Sequence, residues 1–122
     1  MIKNLLLVGL GGAIGSMLRY AGSVLISSKT FPYATLTVNI IGSFIIGIIF
    51  AISIKEEVLF NNWKLFLATG ICGGFTTFSA FSLENMSLLQ SGKYGMAFTY
   101  VGLSILLGIG ATFSGYLIIM KN

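Results

Sequence analysis

The sequence predicts an all-α integral membrane protein with four transmembrane helices, the third broken near the bilayer midplane. Three observations carry this expectation. Of 122 residues, 56% are hydrophobic and only 8% charged, with a mean hydropathy of +0.97. A soluble domain usually keeps about 25% charged residues, so too few are present here to cover a water-facing surface. Polar clusters then divide the chain into four apolar stretches, each long enough to supply the about 20 residues that cross a hydrocarbon core of about 30 Å. The third stretch carries paired glycines and β-branched threonines at its centre, which make a weak helix.

The first stretch runs from about Leu5 to Ser27, too long for the apolar region of a secretory signal and without a small-residue cleavage site. The second runs from Tyr33 to Ile54, with Pro32 placed where a helix start tolerates it. The third spans Trp63 to Leu89 and the fourth Tyr94 to Met120. Together they make residues 1–122 a single membrane domain and leave no room for a soluble catalytic one. The chain has no His and three carboxylates, which removes most acid–base and metal chemistry. Nothing resembles a nucleophile with its base, so an enzyme is not expected. The single Cys72 cannot form an intrachain disulfide. A net charge of +4 would suit nucleic acid in a soluble protein, but these cations are scattered singly and flank the spans instead.

Sorted by side of the membrane, Lys3, Lys55, Lys64 and Lys121 lie with both termini, and Lys29, Lys93 and the intramembrane Arg19 lie on or toward the other side. Glu56 and Glu57 further reduce the difference. The positive-inside rule therefore has little to act on. Either a subtler signal sets orientation, or the chain inserts both ways and assembles as an antiparallel pair.

Glycine supplies 16 of the 122 residues, well above an average near 7%. Gly11 with Gly15, and Gly70 with Gly74, are GxxxG pairs that let helix backbones approach closely in lipid. The third stretch breaks at Thr69-Gly70-Ile71-Cys72-Gly73-Gly74-Phe75-Thr76-Thr77-Phe78-Ser79. Backbone groups freed there must be satisfied by protein, water or an ion, and broken helices supply carbonyls to cations and amides to anions. A glycine-rich kink where helices cross is the alternative.

Polar residues four apart share a helix face. Thr35, Asn39 and Ser43 do so in the second span, and Tyr100, Ser104, Gly108 and Thr112 in the fourth. Each stripe is either interhelical glue or one wall of a permeation path. Arg19 lies about 6 Å past the middle of the first span at 1.5 Å per residue, where a charge is usually functional. It would give a vestibule positive potential, unless it snorkels to the headgroups. Glu84 sits in the outer part of the third span, as a water-exposed carboxylate, a partner for Arg19 or a functional group. Phe78 and Phe81 follow the break at a spacing of three. They are core packing or, presented edge-on, stabilisers of a small anion that has shed water. An amide such as Asn39 and nearby hydroxyls would then replace the lost hydration.

At these residues the chain resembles the Fluc (CrcB) family of bacterial fluoride channels, over nearly its whole length. The matching pieces are Gly11-Gly12-Ala13-Ile14-Gly15 through Arg19-Tyr20, Thr35-Leu36-Thr37-Val38-Asn39 with Gly42-Ser43-Phe44, and Gly73-Gly74-Phe75-Thr76-Thr77-Phe78-Ser79-Ala80-Phe81. The resemblance implies an antiparallel dual-topology homodimer in the bacterial plasma (inner) membrane, with two fluoride pathways and a sodium ion, Na+, at the dimer centre. It implies Asn39 as the pore asparagine, Phe78 and Phe81 as pore-lining rings, and Thr77 and Ser79 as polar neighbours. Gly73 and Thr76 would give backbone carbonyls to sodium, Glu84 would match a glutamate near the pore, and Tyr100 and Ser104 a polar track. Gly108 stands where some members have a further Ser, and Thr112 one turn on would compensate. Some members work only as heterodimers; with Asn39, Phe78 and Phe81 all intact, this chain is expected to be self-sufficient. The rivals are a small multidrug-resistance-type proton-coupled exporter, whose class needs a first-span carboxylate that is missing here, and a noncatalytic membrane assembly subunit.

Overall fold

A computed structural model describes residues 1–56 and 61–121 of the chain; Glu57, weighed above with the loop charges, lies outside the described residues. Among them the structure is all helical, with four helices long and apolar enough to cross a membrane. Helix α1 is Ile2–Leu25 and α2 is Tyr33–Lys55. The third span, Asn61–Gln90, is composite: α3 (Asn61–Lys64), a π-helical segment (Leu65–Cys72), α4 (Gly73–Phe75), two extended residues, then α5 (Phe78–Gln90). Helix α6 is Tyr94–Met120. The 24 residues of α1 reach about 36 Å at 1.5 Å per residue, enough for the hydrocarbon core. Large apolar side chains point outward along every span, Leu6 at 61% and Leu106 at 72% exposure among them. Lipid, as apolar as these side chains, accepts that surface.

The helices pair out of chain order. Along α1 and the third span, Gly11 meets Gly70 and Gly15 meets Ile71 and Phe75, so the register rises together and the two run parallel. A Cβ on Gly70 would stand 2.9 Å from the Gly11 Cα, and one on Gly15 would strike the Ile71 carbonyl. The GxxxG pairs are thus a backbone-to-backbone contact that no larger residue would fit. Helices α2 and α6 also run parallel: Gly47 lies against the Thr112 backbone, Gly115 against Phe44 and Ile48, and Lys55 Nζ donates to the Ile119 carbonyl at 2.7 Å.

Helix α5 turns into α6 through a Schellman cap. Gly92, at φ 76°, takes the left-handed conformation, its N–H donates to the Leu89 carbonyl, and the Lys93 N–H donates to the Leu88 carbonyl. This return packs α5 on α2 and α6, where Leu36, Leu88, Ala97 and the fully buried Tyr100 form the core, flanked by Phe31 and Phe81.

Candidate functional site

The third span breaks at Thr76 and Thr77, whose ψ angles of 156° and 124° are extended. In an unbroken α-helix the N–H of residue i+4 returns to the carbonyl of residue i. Here the Thr77 N–H goes instead to Asn39 Oδ1 at 2.8 Å, and Asn39 Nδ2 donates back to the Thr77 carbonyl at 3.1 Å. The Ala80 N–H goes to the Thr77 hydroxyl at 3.2 Å, which makes Thr77 the N-cap of α5. Gly73 and Thr76 carbonyls thereby lose the donors that a continuous helix would give them. The Gly74 carbonyl takes the Arg19 Nε–H at 3.0 Å, and the Cys72 carbonyl takes both the N–H and the hydroxyl of Thr76. A break that lipid could not satisfy is held by one amide and one guanidinium from other helices.

A cavity of about 350 Å³ opens beside this break, lined by Asn39, Ser43, Cys72, Gly73, Thr77 and Phe78 among others. Asn39 still has a second Nδ2 hydrogen to offer there. The Thr77 and Ser79 hydroxyls lie 3.1 Å apart. Phe78 is 77% exposed on the single chain, whereas Phe81 turns inward. Their ring centroids are 5.6 Å apart, and the Phe81 ring is 4.9 Å from Tyr100, itself edge-on to Phe31 at 5.4 Å. Glu84 closes the series: one carboxylate oxygen accepts from the Tyr100 hydroxyl at 2.7 Å and the other from the Thr35 hydroxyl at 2.8 Å.

Asn39, Thr77, Phe78, Phe81, Tyr100 and Glu84 thus form one connected series, with Ser79 at its exposed edge. Of the alternatives for Glu84, partnership with Arg19 is not the one found: Arg19 caps the broken helix and Glu84 accepts from two hydroxyls. The fourth-span stripe divides. Ser104 borders a second cavity, of about 740 Å³, with Ser43, Gly108 and Thr112, and its buried hydroxyl has no hydrogen-bond partner among the described residues. Thr112 donates to the carbonyls of Ser43 and Gly108, at 2.9 and 3.2 Å, and so acts as glue between α2 and α6.

Sequence reasoning passed over Phe31 and Asn85. Asn85 Nδ2 donates to the Phe81 carbonyl while its buried Oδ1 has no partner among the described residues. An amide inside a span was the available signal; Phe31, a loop aromatic, gave none. For a cation, the chain offers neutral oxygens at the break. Two carbonyls without their helical donors, from Gly73 and Thr76, fit a hard ion but are too few for the about six oxygens such ions gather.

The sequence matches the family described as CrcB-like protein, Camphor Resistance (CrcB), over residues 6–116. It is similar to a protein of Azobacteroides pseudotrichonymphae named fluoride-specific ion channel FluC, with 46% identity over 121 residues, 97% of each chain. Relatives with the same name in Flavobacterium psychrophilum and Leptospira interrogans are 46% and 48% identical; the alignments cover 96% and 93% of this chain and 97% and 91% of theirs.

Proposed function

The chain belongs to the CrcB-like family, and from that premise we propose that it is a passive fluoride channel that exports the cytoplasmic ion and lowers its toxicity. It is a multi-pass membrane protein and not an enzyme. The observation that carries the reading is the uncharged lining at the break: the Asn39 amide clamped to Thr77, the Thr77 and Ser79 hydroxyls, and the Phe78 and Phe81 rings. The names of the relatives supply the ion. Fluoride is small and tightly hydrated, so dense neutral donors and positive ring edges replace its water. A fixed cation at the narrowest point would hold it too long, since conduction needs release as well as binding. The orphaned hydroxyl of Ser104 extends the donor set along α6, whereas the single hydroxyl hydrogen of Tyr100 is already given to Glu84.

Fluoride accumulates because hydrogen fluoride crosses a bilayer uncharged and dissociates inside. A potential negative inside, about 2.3 kcal/mol per charge per 100 mV, then drives the anion out with no coupled ion. On this reading the working protein sits in the bacterial inner membrane. The near balance of loop cations supports insertion in both orientations and an antiparallel homodimer. In such a dimer Gly73 and Thr76 of each chain would together hold a sodium ion at the centre. Sodium would supply fixed positive charge there, outside the path itself.

The test is efflux from liposomes carrying the purified protein, followed with fluoride and chloride electrodes. Rapid fluoride efflux with little chloride movement and no proton gradient is expected. Proton-dependent drug transport, or no flux of either anion, overturns the proposal. Chemical cross-linking in the liposomes reads the dimer separately.

A further inference from the structure

The connected series of side chains that begins at Asn39 ends at Glu84, and Glu84 also lines a third cavity. This one, of about 330 Å³, opens where the α1–α2 loop meets the end of α5. Its rim carries Lys29 from that loop and Lys93 from the α5–α6 turn, and Ser28, Ser87 and Ser91 stand beside them. Both lysines are exposed. Glu84, held by Thr35 and Tyr100, therefore also borders this basin.

We propose that Lys29 and Lys93 form a cationic mouth that captures the permeating anion from water and hands it toward Tyr100 and Phe81. The inference rests on the channel reading above. Its physical ground is that a carboxylate at the entrance, with both oxygens already accepting hydrogen bonds, repels an anion. Two ammonium groups on the rim of the same basin reverse the sign of the local potential. Lysines suit the task because each is a hydrated point charge on a flexible stem, which attracts an ion and lets it go. The Ser28, Ser87 and Ser91 hydroxyls give the ion neutral donors as it sheds its first waters. Within one chain Arg19 donates to the Gly74 carbonyl, and Lys3, Lys55, Lys64 and Lys121 lie toward the opposite end; an antiparallel partner would add its own cations to this face, a background that K29Q/K93Q leaves in place. The mouth acts on capture and not on selection at the break.

The experiment measures initial fluoride flux at concentrations far below saturation, in sodium gluconate at 10 mM and at 1 M. The Debye length falls from about 30 Å to about 3 Å between these conditions. In the unaltered channel, flux is expected to drop several-fold with added salt. In the double variant K29Q/K93Q, flux at low salt is expected to fall by about 3- to 10-fold, the lower range of electrostatic steering, and the two proteins should converge at high salt. K29R/K93R should keep the parent behaviour. Parent flux that ignores ionic strength overturns the mouth without any variant. So does a K29Q/K93Q channel that conducts normally at low salt, or one that loses the same factor at both salts. A parent that moves no fluoride overturns the channel reading, and the mouth with it, which keeps the two failures distinct.

Discussion

Asn39 and Thr77, on different spans, grip each other through two hydrogen bonds at 2.8 and 3.1 Å, in the geometry that two paired strands would use. The amide completes a backbone that has left the helix, and Asn39 also lines the cavity beside it. Asn39→Asp keeps an acceptor for the Thr77 N–H but sets a carboxylate oxygen against the Thr77 carbonyl. A buried group left unsatisfied costs about 1–3 kcal/mol, or about 5- to 150-fold in rate where it enters the barrier. Fluoride efflux should fall within that range while the assembly state on size-exclusion chromatography stays that of the parent. Normal efflux from Asn39→Asp would show that the lining runs elsewhere.

Phe81 touches both Phe78 and Tyr100. Phe81→Ile keeps an apolar volume at the site but removes the ring edges. The expected result is strongly reduced efflux with a thermal midpoint close to that of the parent, read by fluoride electrode and by size-exclusion chromatography after heating. A large fall in both would make Phe81 a packing residue.

Arg19 spends its Nε–H on the Gly74 carbonyl. Removal of a charged donor from such a bond costs on the order of 1.5–3 kcal/mol. Lysine keeps the charge without the planar fork of donors, so Arg19→Lys should destabilise the detergent-solubilised protein nearly as much as Arg19→Gln. If Arg19→Lys matches the parent in stability and only Arg19→Gln loses flux, the charge matters and the cap does not.

Gly47 and Gly102 should respond oppositely to substitution. A Cβ at Gly47 would run into the Thr112 carbonyl, with the Thr112 Cα at 3.1 Å, whereas one at Gly102 meets nothing within 4 Å. Gly47→Val should cost at least about 1–3 kcal/mol by overpacking and separate α2 from α6. Gly102→Ala should stabilise its helix by roughly 0.5–1 kcal/mol. Thermal midpoints in detergent decide both.

Residue type and spacing made much of this legible. Asn39, Arg19 and Glu84 stand out because polar groups inside apolar runs need partners, and Gly11 with Gly15 announces a close crossing. Which partner each group finds was hidden. Asn39 reaches a backbone 38 positions away, and Arg19 one 55 away; only tertiary packing brings them together. Periodicity put Thr112 on the same face as Tyr100, but it could not tell that Thr112 spends its hydroxyl on two carbonyls. Gly47 and Gly115 escaped a search for GxxxG because each fits singly against a neighbouring backbone. The π-helical segment Leu65–Cys72 leaves no mark on hydrophobic pattern, since it changes which carbonyl each N–H meets and not which residues are apolar.

The out-of-order pairing of helices bears on how the chain is made. Helix α1 leaves the ribosome before its closest neighbour, the third span, exists, and α2 waits for α6, which follows that span. Each early span must therefore reside in lipid as an independent unit, with its glycine notches open. The α1 crossing closes only once the third span has been made and the α2 crossing only once α6 has, and a chain stopped before Thr112 would strand α2 without the surface it was shaped to meet.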